Sequence, residues 1–299
     1  MRGRGLPAGL AILVFTALAI ASPAPQAPSL DEIANAAVTD IGDTGTIQLR
    51  NGAFEGAPYV DGGAARPIVS LWRELSVHGD LDSAAGEERA VLLSSTTGGS
   101  GERIYLAVFD RAADGQIRNI ATLPVGDRVK LRAFALDSAT LVLDLIEPAP
   151  GEAACCGTRL VRRSYRVEHS GLLLVDDEIQ GQLSLSTISG HEWILLERNG
   201  ETLADGLRAP TIRISEAKAS GFSGCNEFHV RLEEVAPGEI RIDTATMVST
   251  RMACAESAMA LESSFLAELS AVDRYTFLRG HLALGWQRGE NRGLLLFRK

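Results

Sequence analysis

Residues 219–230 read ASGFSGCNEFHV and place Cys225, one of four cysteines in the chain, between a glycine and an asparagine. Ser223 lies two residues before this cysteine, and His229 lies four residues after it. Cys225 could therefore be a nucleophile, a metal ligand or one half of a disulfide. The choice among these three decides whether the surrounding residues form an active site or a structural core.

The catalytic interpretations fit this stretch poorly. A G-x-S-x-G nucleophile elbow needs a second glycine, where GFSGC has Cys225, and it needs a helix afterwards, whereas NEFHVRLEE has the pattern of a strand. In a strand, residues four apart lie about 13 Å from each other, so His229 could not activate the thiol of Cys225. A metal site needs three or four converging ligands, and no C-x-x-C spacing supplies them. We expect no catalytic residue and no cofactor.

Outward from this stretch, the chain is rich in predicted strands. Residues 45–176 consist mostly of runs that alternate apolar and polar residues and are bounded by Gly, Asp or Pro, as in half-buried antiparallel strands. A polar connector at 177–187 precedes a second domain at 188–299. There, CAESAMALESSFLAELSAV predicts one amphipathic helix, because Met259, Glu262, Phe265, Leu266 and Leu269 recur at intervals near three and four. The predicted fold class is α+β and strand-rich: a mostly antiparallel β N-terminal domain, then a smaller antiparallel sheet with one helix.

Motifs of the second domain occur in a recognisable order. Trp193 stands in W-x-L, residues 223–228 read SGCNEF, residues 249–254 read STRMAC, and Glu262 precedes FLAEL. Together they resemble the META domain, a family that includes the HslJ-like heat-shock-associated proteins of bacterial envelopes. The resemblance implies a small strand-rich fold with one helix and no general catalytic activity. Val230 departs from it, because many members have glycine there. The matching residues are Trp193, Ser223, Gly224, Cys225, Asn226, Phe228, Thr250, Arg251, Met252, Cys254, Glu262 and Phe265.

The N-terminal half carries a weaker likeness. The segments GDLDSAAGEERAVLL, GGSGERIYLAVF, VGDRVKL and ACCGTR resemble an uncharacterised bacterial envelope domain that is often joined to META domains. That family has a fuller GDLDGDG loop and a proline after the paired cysteines. This chain lacks the third acid of the loop and has Gly157 in place of the proline.

The N-terminus predicts export. Arg2 and Arg4 precede the apolar run from Leu6 to Ala21, and small residues at A-x-A spacing favour cleavage after Ala21. The alternative is an uncleaved anchor, for which the run is short. No cysteine near this site could accept a lipid. Residues 1–21 are thus predicted as a signal peptide and residues 22–44 as a Pro/Ala-rich tether with a short helix near Ser29. The predicted location is periplasmic or secreted, with no transmembrane span after signal removal.

Export would allow oxidised cysteines. Cys225 ends one motif loop and Cys254 opens the predicted helix, so a disulfide between them would close a long loop and stabilise the fold by roughly 3–4 kcal/mol. Two free buried thiols are the alternative. Cys155 and Cys156 are adjacent: a vicinal disulfide in a strained turn, free thiols, and a redox or metal role all stay open.

Two other features invite a functional interpretation. In GDLDSAAGEERA, Asp80 and Asp82 with Glu87 or Glu88 offer the oxygen ligands that calcium prefers. Ala84 breaks the EF-hand pattern, so a calcium-free turn is the favoured interpretation. Arg251 could contact a ligand, but an internal ion pair with an acid such as Glu262 is preferred.

The charge composition makes one class of binding partner improbable. With 38 acidic and 29 basic side chains, the formal net charge is −9, which argues against nucleic acid. We therefore predict an exported, non-enzymatic envelope protein that binds an unknown envelope protein or small ligand, or supports envelope integrity under stress; the stress link rests on the resemblance alone. The alternative is a periplasmic hydrolase whose acidic residues converge only in the fold.

Overall fold

The computed structural model describes residues 25–42, 45–154, 156–168 and 171–299. The predicted signal peptide and Cys155 lie outside these residues, so cleavage after Ala21 and the vicinal cysteine pair stay predictions. Within the described ranges, no helix combines the length and the apolar character that a bilayer span requires.

The described chain begins with three short elements. They are α1 (Leu30–Ile33), β1 (Ala37–Val38) and β2 (Ile47–Gln48), and the two strands pair antiparallel. The helix forms where a capping box predicts it: Glu32 N donates to Ser29 Oγ, and Ser29 N donates to Glu32 Oε2 at 2.8 Å.

Two antiparallel sheets follow, and in both the sheet order is the chain order, forward or reversed. The first sheet contains β3 (Ala53–Glu55), β4 (Ile68–Gly79), β5 (Glu88–Thr96), β6 (Arg103–Arg111) and β7 (Ile117–Asp127). The second contains β8 (Lys130–Asp137), β9 (Thr140–Glu147), β10 (Arg159–Glu168) and β11 (Gly171–Gln182). Short hairpin connections of this kind join neighbouring antiparallel strands directly.

Strands β5 and β6 are buried on both faces. Leu92 and Leu106 pack with residues of the second sheet, such as Leu143, in one core. Leu93 and Phe109 point the other way and pack in a second core. Successive side chains of a strand point to opposite faces, so these two central strands need a cover on each side, and their near-continuous apolar sequence reflects this.

The second cover is the segment that the sequence assigned to a tether and short helix. Ile33, Val38 and Ile41 are each fully buried and belong to the same core as Leu93 and Phe109. Even the proline-rich residues before α1 contact the sheet, because Arg89 Nε donates to the carbonyl of Pro28. Residues 25–42 and 45–49 thus form an additional layer on the first sheet.

Strand β11 forms the outer edge of the second sheet. Its only strand partner is β10 among the described residues, and from Leu173 to Gln182 every residue is exposed. Leu173, Val175 and Ile179 are large apolar side chains on this edge. The strand also extends beyond residue 176, so the predicted connector at 177–187 contains the end of β11 and the helix that follows it.

The C-terminal part begins with α2 (Leu185–Ile188) and contains nine strands and one longer helix. The elements are β12 (Glu192–Arg198), β13 (Glu201–Thr202), β14 (Thr211–Ser215), β15 (Lys218–Phe222), β16 (Glu227–Ala236), β17 (Glu239–Ser249), α3 (Glu256–Leu269), β18 (Val272–Leu278), β19 (His281–Arg288) and β20 (Asn291–Arg298). Because β20 also pairs with β12, the sheet closes on itself.

Helix α3 packs into the core of this closed sheet through Leu261, Phe265 and Leu269. These residues follow one another at intervals of four, which places them on one helix face. Met259, which the sequence pattern placed on the apolar stripe, is 44% exposed. The predicted helix is therefore present, but its buried face includes Leu261 in place of Met259.

The two parts of the chain pack directly against each other. Ile146 of β9 is buried within the core of the C-terminal part, and Gly280 N, in the turn between β18 and β19, donates to Leu131 O of β8 at 2.9 Å. Gly280 has a φ of +84°, and an added Cβ would lie 3.0 Å from Leu75 Cδ2, so a glycine suits this contact both in conformation and in space. We call this contact region the seam.

The prediction of a strand-rich, mostly antiparallel fold is confirmed. The α+β label fits only loosely, because α3 is the sole helix longer than four residues in the described chain.

Candidate functional site

The two cysteine motifs, residues 223–228 and 249–254, lie side by side at the end of the closed sheet; we call them the paired motifs. Cys225 and Cys254 form a disulfide, with an S–S distance of 1.99 Å. The predicted pairing is confirmed. Since the sulfur of Cys225 is bonded to Cys254, it is not available as a thiolate nucleophile or metal ligand.

Glu262 on α3 accepts hydrogen bonds from the first motif. Ser223 Oγ lies 2.6 Å from Glu262 Oε2, Asn226 N donates to the same oxygen at 2.7 Å, and Asn226 Nδ2 donates to Oε1 at 3.0 Å. Burial by itself would raise the pKa of Glu262, but these hydrogen bonds outweigh it and lower the pKa. The carboxylate therefore fastens the first motif to the helix.

Asn226 connects the two motifs. Its Oδ1 accepts from Thr250 Oγ1 at 2.8 Å and from Met252 N at 2.6 Å, while its main chain and amide nitrogen donate to Glu262. Asn226 is 4% exposed, so these bonds are shielded from water. A buried asparagine with both ends of its amide engaged is a structural link rather than a reagent.

Gly224 shows why the first motif needs a glycine. Its φ is +122°, and an added Cβ would lie 3.2 Å from Leu261 Cγ and 3.3 Å from Ala258 O. Any side chain would meet both a strained backbone and the wall of α3. The position brings the motif loop close enough to α3 for Glu262 to accept its hydrogen bonds.

The nucleophile elbow is absent at Ser223. The residue is fully buried, and its hydroxyl lies 2.6 Å from both Glu262 Oε2 and Asn226 O. The single hydroxyl proton can serve one of these acceptors at a time. His229, the other residue of a possible dyad, lies within β16 on the exposed face.

The predicted ion pair between Arg251 and Glu262 is not formed. Arg251 is exposed, and none of the ion pairs among the described residues includes it. Glu262 instead accepts hydrogen bonds from Ser223 and Asn226, because the loop at Gly224 brings their donors against α3. Any role of Arg251 in contacting a ligand stays untested.

The acidic loop at residues 79–88 brings Glu88, rather than Glu87, together with Asp80 and Asp82. Oxygen atoms of Asp80, Asp82 and Glu88 all lie within 4.8 Å of one another. Glu87 points away and its Oε2 lies 3.3 Å from His78 Nδ1. The alternation of β5 explains the difference, because Glu88 shares its face with buried Ala90 and Leu92.

Glu88 is 3% exposed, and its Oε2 accepts from Leu81 N at 2.8 Å. Burial raises its pKa, and the nearby charges of Asp82 and Asp80 raise it further. A cavity of about 390 Å³ near the loop is lined by His78, Glu87 and Arg89, but not by Glu88. The carboxylates could hold a hard cation such as calcium.

The seam contains a cavity of about 450 Å³, within the size range of small-molecule sites. Both parts of the chain line it. Trp72, Leu131 and Phe277 contribute apolar surface, and Arg128, Lys130 and Arg279 contribute positive charge. The Arg279 guanidinium lies 5.2 Å from the centroid of the Trp72 ring, which is a cation–π distance. We call this the seam cavity.

The comparisons with known proteins concern the C-terminal part, where the paired motifs, the disulfide and α3 occur together. Residues 186–299 match the META domain. The resemblance recognised in the sequence is thereby confirmed, and the likeness of the N-terminal half to an envelope domain stays a prediction, because no such match accompanies it.

No curated protein matches the chain. One solved structure, described as an NMR structure of a protein, is 21% identical to the chain and covers 39% of it and 94% of its own length, with a TM-score of 0.32. This likeness carries no conclusion about fold or function.

The remaining residues of the META signature are core residues. Trp193 is fully buried, donates from Nε1 to Ile188 O at 2.8 Å and packs edge-to-face on Phe277. Phe228 and Phe265 also pack edge-to-face, with ring centroids 5.9 Å apart. The META residues whose contacts are described thus act in packing, hydrogen bonding or the disulfide.

Sequence reasoning did not find the seam cavity. Its lining residues come from β4, the β5–β6 connection, the β7–β8 turn with the start of β8, the β18–β19 hairpin and β20, which are far apart in the chain. One local signal existed: Lys130 stands between Val129 and Leu131 in a predicted strand, and lysine is one of the residue types least often buried.

Proposed function

We propose that this chain is an exported, non-enzymatic binding protein of the bacterial envelope, and that it binds a small ligand in the seam cavity. The observation that carries the proposal is the cavity itself: it joins apolar walls from both parts of the chain with three cationic side chains. Concave, mostly apolar sites with a few polar groups are the usual form of small-molecule sites.

The paired motifs support the non-enzymatic part of the proposal. Ser223, Asn226, Thr250 and Glu262 hydrogen-bond with one another or with neighbouring backbone, and Cys225 is in a disulfide. These groups have structural partners, and no nucleophile with an adjacent base is left among them.

The disulfide also supports export, since disulfides persist mainly outside the reducing cytosol. Fractionation of cells that produce the chain, with non-reducing peptide mapping of each fraction, tests this point. The linked Cys225–Cys254 peptides are expected in the envelope or secreted fraction. A reduced, cytoplasmic protein would contradict export.

A complementation experiment tests the binding role. Leu278 lines the seam cavity and is 45% exposed, so Leu278→Trp should fill the cavity without disturbing a core. Val248 is similarly exposed at 48% and lies away from the cavity, so Val248→Trp is the matched control. In a strain that lacks the protein, we expect wild type and Val248→Trp to restore growth under detergent stress and Leu278→Trp to fail.

The same assay separates binding from hydrolysis. A hydrolase that used the converged acids would lose complementation with Glu88→Gln, whereas a binding protein would keep it. Full complementation by Leu278→Trp together with failure of Glu88→Gln would overturn the proposal in favour of the enzyme.

A further inference from the structure

We propose that the seam cavity selects a small amphiphile with an apolar body and a carboxylate head group. This inference rests on the proposed binding function and specifies the ligand class. It follows from the kinds of side chain that line the cavity and from their charges.

The charge of the lining favours an anion. The lining includes three cationic side chains, Arg128, Lys130 and Arg279. Glu102 is the one carboxylate in the lining. The two arginines have acidic neighbours: Arg128 lies 3.3 Å from Asp127, and Arg279 lies 3.9 Å from Glu74. Lys130 forms no ion pair with the described residues, so its charge is the one left for a ligand.

Lys130 is also partly buried, and this burial lowers the pKa of its ammonium group. A carboxylate beside it would supply the opposite charge that the surrounding protein does not provide. A charge-assisted hydrogen bond of this kind is among the stronger polar contacts available to a ligand.

Unpartnered donors lie at the same place. Trp72 is 3% exposed, and its Nε1 has no hydrogen-bond partner among the described residues; the same is true of Arg128 Nε and Thr276 Oγ1. All three residues line the seam cavity. These three atoms are shielded from solvent, so a ligand in the cavity does not reach them in this conformation, and the charged and apolar lining determines the ligand class.

The apolar residues of the cavity lining favour a ligand with an apolar body. Leu131 and Phe277 are buried, and Leu278, Ala283 and Leu294 complete an apolar surface. A short polar anion such as acetate would leave this surface uncovered. A medium-length alkyl chain would cover it, with its carboxylate at the side of Lys130.

Calorimetric titration of the mature, oxidised chain tests the proposal with three ligands that share one alkyl chain. Decanoate, decanol and decyltrimethylammonium have ten-carbon chains and carry an anionic, a neutral and a cationic head group, and each is used below its micelle concentration. Decanoate is expected to bind at least about tenfold more tightly than decanol, as one charge-assisted contact allows, and the cationic ligand is expected to bind least. Tryptophan fluorescence provides a second readout, because Trp72 lines the cavity.

Variants locate the head group. Lys130→Gln should weaken decanoate binding about tenfold and leave decanol binding unchanged, whereas Lys130→Arg, which keeps the charge, should retain most of the decanoate affinity. Lys218→Gln, at an exposed lysine of β15, is the control. Leu278→Trp should weaken both ligands. A melting curve for each variant separates lost binding from lost folding.

Three results would overturn the inference: no decanoate binding to the wild type, equal affinity for decanoate and decanol, or decanoate binding that Lys130→Gln leaves intact. If any of these occurs while Leu278→Trp still fails to complement, the ligand class is wrong and the proposed function stands. If decanoate binds as expected and Leu278→Trp complements fully, the ligand class stands and the proposed function fails.

Discussion

The two parts of the chain hold their cores together in different ways. In the META domain, a disulfide and the carboxylate of Glu262 connect a motif loop, its partner loop and α3. In the part before the META domain, the second sheet covers one face of β5 and β6, and the N-terminal layer covers the other. Apolar packing holds these elements together. The closed sheet thus combines an apolar core with specific links between its loops and its helix, whereas the layered sheets are held by apolar packing on both faces of their central strands.

Loss of the disulfide should have the largest effect and should be confined to the META domain. Replacing Cys225 and Cys254 together by serine releases a link that spans 29 positions in sequence, which is worth about 3–4 kcal/mol in the chain-entropy description. Hydrogen exchange resolved by peptide should accelerate in β16 and α3 and stay unchanged in β5 and β6.

A matched test of the layered part is Leu106→Ala, which removes a fully buried side chain of β6 and should cost about 2–5 kcal/mol. In this variant, hydrogen exchange should accelerate in β5 and β6. If the cysteine variant instead accelerated hydrogen exchange equally in both parts, the disulfide would not act on the META domain alone, and the comparison between the two cores would be wrong.

Ile146 is the place where the two cores meet, and Ile146→Ala should destabilise both. It is 1% exposed and packs in the META core although it belongs to β9. We expect a loss of about 3 kcal/mol, and about 1 kcal/mol for Ile146→Val. Thermal unfolding should remain a single transition for Ile146→Val and separate into two for Ile146→Ala. A single, unshifted transition for Ile146→Ala would show that the seam does not couple the two parts.

Glu262→Gln should cost about 2 kcal/mol at neutral pH, because an amide cannot accept all the hydrogen bonds that the carboxylate accepts. The pKa of Glu262 in the folded protein lies below its ordinary value of 4.5. Its contribution is therefore complete above the unfolded pKa and is lost as the pH falls through the folded one. Chemical denaturation at a series of pH values should show the variant and wild type converging in acid.

The control for this series is Glu256→Gln, at an exposed acid in the first turn of the same helix. It removes the same charge and none of the motif hydrogen bonds. A Glu262→Gln variant no less stable than Glu256→Gln at neutral pH would contradict the structural role of the carboxylate.

Glu88→Gln should have the smallest effect and the opposite sign. Because burial and two neighbouring acids raise the pKa of Glu88, its contribution to stability is present below the unfolded pKa and is lost as the pH rises through the folded one. Removing its charge should raise the Tm at neutral pH by a few degrees at most, and the difference should vanish in acid. Glu87→Gln, at the exposed neighbour, should change little.

The same two variants, Glu88→Gln and Glu87→Gln, test whether the acidic loop binds calcium. If the acidic loop stays free of calcium, added calcium leaves the Tm of wild type and both variants unchanged. A rise in wild type that Glu88→Gln abolishes and Glu87→Gln retains would show that Asp80, Asp82 and Glu88 bind the ion.

The sequence predicted the strand-rich fold because alternation of apolar and polar residues is a local property. It also predicted the Cys225–Cys254 bond, since the two motifs stand at the ends of neighbouring elements and few other pairings are possible. Ser223, Asn226 and Glu262 matched the family signature, but nothing local indicated that the carboxylate would accept from both of the others rather than pair with Arg251.

Two of the features that sequence reasoning missed depend on long-range packing. The N-terminal layer was assigned to a tether because Ile33 and Val38 lie in short elements with no periodicity of their own. The seam cavity needs residues as far apart as Trp72 and Phe277. The choice of Glu88 over Glu87 was within reach, because the alternation of Ala90 and Leu92 in β5 already fixes which neighbour faces inward.

The exposed edge at β11 has a consequence for the behaviour of the protein at high concentration. Two copies that paired along this strand in antiparallel fashion would align the same residues about its centre, where Asp176, Asp177 and Glu178 lie. Like charges would then meet across the new ladder, which is a recognised protection against edge-to-edge association. The apolar residues on either side stay available, so replacing these three acids by neutral amides should turn a dispersed protein into one that pairs edge to edge as a closed dimer.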